Sequence, residues 1–261
     1  MKLQIVGGGK MGEALLGGVL DSQWCNPGEI GVIELAESRQ AELRGTYPGV
    51  VVGDVVHPEA DALIAVKPQH VVEVVEQLAD AGVHRVLCVA AGITIEAMQA
   101  AGPDMTIVRC MPNTPALIGA GASAIAPGPT ATVQDLEWAE SILSAVGLVE
   151  RVDEGDLDAV TGLSGSGPAY VFHLAEALMA GAIAQGLDPE VADRLTRQTL
   201  LGASRLLAES GEDPATLRKN VTSPGGTTAA GLAQFDEADF VGLIDRVVAA
   251  AAERSRELGA A

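Results

Sequence analysis

Aromatic residues are scarce in this chain: two Trp, two Tyr and three Phe among 261 residues. Its core must therefore be built from Ala, Val, Leu and Ile, whose small side chains let helices pack closely. Lysine is nearly absent, with only Lys2, Lys10, Lys67 and Lys219, and 16 basic residues face 35 acidic ones for a net charge of −19. Phosphate backbones are gripped by clustered Lys and Arg, so nucleic acid is excluded as a partner, and so are anionic membrane surfaces. The acidic excess reads as a solvated surface. Cysteine is limited to Cys25, Cys88 and Cys110, widely spaced and without a CxxC pair. That pattern argues against a disulfide scaffold and against a zinc site; no metal is expected, and reduced, buried thiols point to the cytoplasm. Long apolar runs are missing too. The stretch Leu3–Val6 is too short for a signal peptide. The longest segment without a charge, Cys110–Gln134, contains four prolines and three glycines, which rules out a membrane helix.

What is present fits a globular protein, with 48 % hydrophobic and 20 % charged residues. The length allows one large domain or two modest ones. Across the first part, apolar runs alternate with helical patterns. Leu3–Val6, Ile30–Ile33, Ala62–Val66, Val86–Ala90, Thr106–Met111, Ala122–Ala126 and Leu148–Val152 read as strands. Met11–Asp21, Arg39–Thr46, Val71–Ala81, Ile95–Ala100 and Val133–Ala145 read as helices. Near-continuous apolar strands between helices imply α/β architecture, a Rossmann-type doubly wound sheet covered on both faces. Thr132 and Asp135 have capping-box spacing. After 152 the strand pattern stops and an all-helical domain follows. Its segments are Leu157–Leu163, Ala169–Gln185, Glu190–Ser210, Ala215–Asn220, Ala229–Phe235 and Phe240–Leu258, with Asp188-Pro189 and Asp213-Pro214 as helix starts. The expected division is 1–152 for dinucleotide binding and 153–261 for dimerisation and substrate binding. Ala169–Gln185 is apolar on nearly every face, and a helix of that kind must be buried all round. A small domain cannot surround it alone, so a second copy of the chain is expected to cover it.

Gly7-Gly8-Gly9-Lys10-Met11-Gly12 fits GxGxxG in its confirming context, directly after a strand and opening a helix. Gly7 permits the turn, Gly9 lets backbone approach a pyrophosphate, and Gly12 lets helix and strand touch; helix N–H groups then bind the phosphates. Glu34 ends the second strand, 22 residues beyond Gly12, where an acid hydrogen-bonds the adenosine ribose and repels a 2′-phosphate. NADH or NADPH is the expected cofactor, with Glu34 favouring NADH; Arg39 could offset the acid or simply belong to a helix surface. Ligands bind beyond the carboxyl ends of parallel strands, which places Val66-Lys67-Pro68 and Ala90-Ala91-Gly92 beside the nicotinamide. Lys67 has a surface reading as well, and His70 reads as a helix-start residue. Met111-Pro112-Asn113-Thr114 completes the pocket, Asn113 bonding either the nicotinamide amide or nearby backbone.

These segments resemble pyrroline-5-carboxylate reductases over essentially the whole chain. The resemblance rests on Gly7–Gly12, Ala65–Pro68, Ala91–Ile93, Arg109-Cys110-Met111-Pro112-Asn113-Thr114-Pro115, Asp158–Tyr170 and Val221-Thr222-Ser223-Pro224-Gly225-Gly226-Thr227-Thr228. The glycine motif is generic; the last two segments are highly specific. The resemblance implies a Rossmann domain followed by a helical dimerisation domain, a homodimer with intertwined helices, and larger rings of dimers. It also implies reduction of a cyclic imine to L-proline, the last step of proline biosynthesis. Many relatives carry Arg or a small polar residue just after the second strand, suited to NADPH, whereas Leu35 follows the acid here.

The small-molecule substrate such a reductase takes is a five-membered ring with a C=N bond and a carboxylate. It needs a hydride donor beside the imine carbon, an anion site, and a proton for the ring nitrogen. Ser223, Gly225, Gly226 and Thr227 lead into a helix, and their backbone N–H groups and hydroxyls can bind the carboxylate. By resemblance, Thr228 lies near the ring nitrogen and is the catalytic residue. A Thr hydroxyl is a poor acid, so water or a pre-protonated iminium is the source of the proton. A plain glycine turn with a threonine cap is the structural alternative. Ser164-Gly165-Ser166-Gly167-Pro168 superficially resembles a nucleophile loop but lacks a matching His and acid; it reads as a loop beside the site. Another imine reductase or a hydroxyacid dehydrogenase on the same scaffold, or a non-catalytic nucleotide sensor, are the competing readings.

Overall fold

Leu3–Val6 (β1), Ile30–Ile33 (β2), Val51–Gly53 (β3), Asp61–Ile64 (β4), Arg85–Cys88 (β5), Thr106–Met111 (β6), Gly121–Pro127 (β7) and Gly147–Arg151 (β8) form one sheet in the order β3-β2-β1-β4-β5-β6-β7-β8. The structure is a computed structural model that describes residues Met1–Gly259. The β1 strand lies mid-sheet, pairing in parallel with β2 and β4, so that Val6 is in register with both Ile33 and Ile64. All four of its residues are buried. Its one polar residue, Gln4, is satisfied by backbone: its amide nitrogen donates to the carbonyls of His57 and Ala60, and its amide oxygen accepts from the His57 N–H at 3.0 Å. A buried amide left unbonded would cost more than these bonds contribute, and that asymmetry pins the segment leading into β4.

Helices α1 (Lys10–Asp21), α2 (Glu37–Thr46), α3 (Val71–Asp80), α4 (Ile95–Ala101) and α5 (Val133–Leu143) connect the strands. Leu15, Leu16 and Val19 of α1 and Ala139, Ile142 and Leu143 of α5 pack with Leu3 and Ile5 in one core layer. Val71, Val75 and Leu78 of α3 and Met98 of α4 pack with Ile64 and Val86 in the other. This is the doubly wound arrangement expected from apolar strands. The capping box at Thr132 and Asp135 forms as its spacing predicts.

Three details differ from the sequence expectation. The short strand β3 was not foreseen; of its three residues only Val52 is buried, which leaves no periodic signal. The β7 strand runs antiparallel to β6, because the connection through Asn113–Ala120 holds only a short 3₁₀ turn at Thr114–Ile118 and no crossover helix. The helix expected at Leu157–Leu163 is a short α6 (Leu157–Val160) followed by a π-helical turn over Thr161–Gly165.

Beyond these lie α7 (Gly167–Ala184), α8 (Pro189–Glu209), α9 (Pro214–Asn220), α10 (Thr227–Glu237) and α11 (Phe240–Gly259). The chain forms two compact units. One comprises Met1–Ser166 together with the chain from Val248 onward; the other is Gly167–Val247. The first therefore extends past 152, because α6, the π turn and the end of α11 pack with the sheet elements; Ser255 Oγ of α11 donates to Asp158 of α6 at 2.6 Å. In the second, Asp188 and Asp213 cap α8 and α9, each accepting two backbone N–H bonds ahead of a proline at the first turn. No residue of α7 is buried by its own chain, and Val171, Phe172, Leu174, Leu178 and Ile183 are exposed.

Arg109 of β6 is 7 % exposed, and its Nη1 donates to Glu154 Oε1 at 2.8 Å; the same oxygen accepts the Ile95 N–H at the start of α4. Replacing Glu154 by Ala leaves a buried guanidinium without its counter-charge and is expected to cost roughly 2–3 kcal/mol, read by urea denaturation. A loss below about 0.5 kcal/mol would show that the pair does not hold α4 against the sheet.

Candidate active site

The first turn of α1 is built by glycine at each point of close approach. Gly7 sits at φ +105°, where a side chain is strained, and a Cβ on it would meet the Ala65 carbonyl oxygen at 2.8 Å. A Cβ on Gly12 would lie 2.0 Å from the Gly7 carbonyl oxygen, so helix and strand can touch only as glycines. A Cβ on Gly9 would meet nothing within 4 Å. That position leaves open space in front of a helix start whose cap residue, Gly9, provides no side-chain hydrogen bond. Uncapped N–H groups at a positive helix end, facing free space, fit a diphosphate. The residues present thus suit a dinucleotide.

Gly8 is held from both sides. Its N–H donates to Glu34 Oε2 at 3.1 Å, while Arg39 Nε donates to its carbonyl at 2.7 Å. The other Glu34 oxygen accepts from the Ala36 N–H at 2.9 Å. The remaining Arg39 nitrogens reach Glu13 at 2.5 Å and Glu42 at 2.9 Å, and these carboxylates raise the guanidinium pKa above its usual value, Glu13 first. A cavity of about 450 Å³ opens here, with Gly7, Gly9, Glu34, Val66 and Lys67 in its wall. Leu35, Asp54, Val56 and His70 also line it. Asp54 went unforeseen because it follows the unforeseen β3; His70 is the α3 cap residue by backbone and a wall residue by side chain.

A second cavity of about 310 Å³ takes Met11, Val66, Pro68, Ala90, Asn113 and Gly165 into its wall, sharing Val66 with the first. Asn113 is 9 % exposed and already committed to backbone: Nδ2 donates to the Ser164 carbonyl at 3.1 Å and Oδ1 accepts from the Ala122 N–H at 2.9 Å. Of its two sequence alternatives, the structure records the backbone one, through which Asn113 fixes the π turn against β7. Lys10 is exposed and Gly92 turns against Leu258 of α11; neither lines either cavity. Thiol chemistry has no place here. Burial pushes Cys88 up to about 11 and Cys110 higher still, so both remain protonated. Among the described residues no group of three or more His, Cys, Asp or Glu side chains is placed to hold a metal ion.

Ser223, Gly225, Gly226, Thr227 and Thr228 lie in the helical unit, at the start of α10. Gly225 adopts φ +72° and the Gly226 N–H bonds the Ser223 carbonyl at 3.0 Å, a tight turn that delivers the chain into the helix. Gly226 is the cap residue and no side chain caps the helix. The first-turn N–H groups are thus free of capping side chains, and Ser223, Thr227 and Thr228 line the turn beside them. The threonine-cap alternative is therefore not what the structure shows.

A doubly wound sheet with a glycine-built helix start is the frame of a dinucleotide-binding protein, and comparison with known proteins makes it a nicotinamide-dependent oxidoreductase. Residues 154–258 match the family model for pyrroline-5-carboxylate reductase dimerisation, and residues 2–92 match that for NADP oxidoreductase, coenzyme F420-dependent. The chain is 42 % identical to a pyrroline-5-carboxylate reductase of Synechocystis sp., over 99 % of this chain and 98 % of that one. The solved pyrroline-5-carboxylate reductase of Coxiella burnetii is similar at TM-score 0.92, with 33 % identity and 98 % of each chain covered. That of the Plasmodium falciparum pyrroline carboxylate reductase, with NADP bound, is similar at 0.85, with 26 % identity and 99 % of this chain and 98 % of that one covered. This chain belongs to the pyrroline-5-carboxylate reductase family.

Two glycine substitutions separate packing from ligand approach. Gly9→Val should leave stability within about 0.5 kcal/mol of the parent, because its Cβ meets open space, yet weaken dinucleotide binding at least tenfold. Gly12→Ala should destabilise by about 1–3 kcal/mol through overlap with the Gly7 carbonyl. Thermal unfolding and calorimetric titration read both effects; equal affinity in the Gly9 variant would remove the diphosphate assignment.

Proposed function

We propose that this chain reduces 1-pyrroline-5-carboxylate to L-proline with a reduced nicotinamide dinucleotide, NADH in preference to NADPH. The observation that carries the reading is the Ser223–Thr228 turn, which opens α10 without a capping side chain in a chain that also keeps the complete glycine loop. The cofactor supplies the hydride. The chain's own task is to hold a small anionic ring. Backbone N–H groups of Gly226, Thr227 and Thr228, at the positive end of an 11-residue helix, receive the carboxylate, and the Ser223 and Thr227 hydroxyls add donors. The Thr228 hydroxyl hydrogen-bonds the ring nitrogen and orients it; being a poor acid, it leaves the proton to water or to an iminium protonated beforehand.

Glu34 supports the preference for NADH. Glu34 lines the cavity of about 450 Å³, and its carboxylate, already accepting the Gly8 and Ala36 N–H groups, has lone pairs left to accept from ribose hydroxyls and repels a 2′-phosphate. In function, residues 1–152 serve dinucleotide binding and 153–261 serve dimerisation and substrate binding, although the compact unit that holds the sheet also takes in the chain up to Ser166 and part of α11. The exposed apolar surface of α7 supports a homodimer in which a second copy covers it. Rings of dimers are an expectation from the family resemblance alone. Three free, buried thiols support the cytoplasm as its compartment. Among the described residues no helix is long and apolar enough to cross a membrane.

Purified protein with pyrroline-5-carboxylate should oxidise NADH faster than NADPH, followed by the loss of reduced-nicotinamide absorbance, and form proline in step. Thr228→Ala should lower turnover about tenfold or more with dinucleotide affinity intact, the loss of one oriented hydrogen bond in the reacting complex. Normal turnover in that variant would misplace the substrate. Phe172→Asp, at a position 64 % exposed in the single chain, should shift the protein from dimer to monomer in light scattering at micromolar concentration. A dimer that persists would place the interface elsewhere.

A further inference from the structure

We infer that Glu13 and Glu42 are positioning residues that set cofactor choice by withholding Arg39 from the 2′ position of the adenosine ribose. This rests on the dinucleotide reading of the glycine loop and deepens it. A 2′-phosphate is accommodated by an arginine near the end of the second strand, and Arg39 stands five residues past Glu34, in the first turn of the helix after β2, bonded to the loop residue between Gly7 and Gly9. Its guanidinium is spent in the opposite direction. Nε donates to the Gly8 carbonyl at 2.7 Å, Nη2 pairs with Glu13 at 2.5 Å and Nη1 with Glu42 at 2.9 Å. The Arg39 and Glu13 side chains are 26 % and 30 % exposed, so their attraction is less screened than that of a surface pair.

The result is a paired device on one residue. Glu34 holds the Gly8 N–H and Arg39 holds the Gly8 carbonyl. The acid is left on the wall of the cavity, and the base is turned back onto α1, where Glu13 lies one helical turn beyond the cap. Arg39 thus braces the phosphate-binding loop instead of adding positive charge at the ribose. Neutralising Glu13 removes the shorter of its two ion pairs and frees the guanidinium to turn toward a phosphate, with bidentate geometry suited to it. Lys67 and His70 also line the cavity, so the test must separate Arg39 from them.

Adenosine 2′,5′-bisphosphate and 5′-AMP are probes that differ only in the 2′-phosphate and need no turnover. Calorimetric titration of the parent should favour 5′-AMP. In Glu13→Gln the affinity for the bisphosphate should rise about tenfold, the scale of one charge-assisted hydrogen bond, with 5′-AMP unchanged. Glu42→Gln should act in the same direction with smaller effect, the Glu42 side chain being 64 % exposed. Adding Arg39→Met to Glu13→Gln should return the ratio to that of the parent. An unchanged ratio in Glu13→Gln, or a gain that survives Arg39→Met, overturns the inference. So does a parent that already prefers the bisphosphate and loses that preference on Arg39→Met. Glu34→Gln is the separate control: if it leaves the parent ratio unchanged while Glu13→Gln shifts it, the ribose reading of Glu34 fails and the Arg39 device stands.

Discussion

Contact between the start of α1 and the end of β1 is the constraint on which the cofactor-binding unit depends. A Cβ on Gly12 would come within 2.0 Å of the Gly7 carbonyl oxygen, which leaves no room for any side chain. Because the two backbones touch, the helix start projects directly over the carboxyl ends of β1 and β4, whose Val6 and Ile64 are register partners. Around that placement lie open space at Gly9, N–H groups without a capping side chain, and two cavities that share Val66. The core beneath is aliphatic, since few aromatic residues are available, and tight backbone approach is what small side chains allow.

Charge is used sparingly but locally in this acidic chain. Glu34 and Arg39 hold the two polar groups of a single residue, Gly8, so the loop's geometry is set by side chains from the end of β2 and from α2. Arg109 and Glu154 do a similar service deeper in the unit, tying β6 to the start of α4. Asn113, also just past β6, joins the π turn to β7 through two backbone bonds. Such partly buried polar links fix where neighbouring loops stand, and loops at strand ends carry the chemistry.

The helical unit follows a different logic. Its helices are capped by Asp188 and Asp213 in the expected way, yet α7 buries none of its residues within its own chain. An apolar helix left bare loses the burial that stabilises a fold, and this helix falls within the residues that match the family model for dimerisation. At the start of α10 no side chain caps the helix, and an anion can take the place a capping oxygen would otherwise fill.

Much of this was legible in the residues. The alternation of apolar runs and helical periods marked seven of the eight strands, and GxGxxG after a strand marked the tight start of α1, because period and glycine placement are local properties. Asp-Pro pairs marked helix starts for the same reason. What needed tertiary structure depended on partners distant in sequence. The strand β3 carries no period of its own and exists because β2 offers it a ladder. Antiparallel β7 follows from a short connection whose direction no pattern states. Asn113 offered two roles, and which one it takes was decided by Ser164, 51 residues away. Arg39 read as a helix-surface residue that could also offset the acid at the ribose; only the fold, by bringing Gly8 and Glu13 within reach of α2, turned it to the loop.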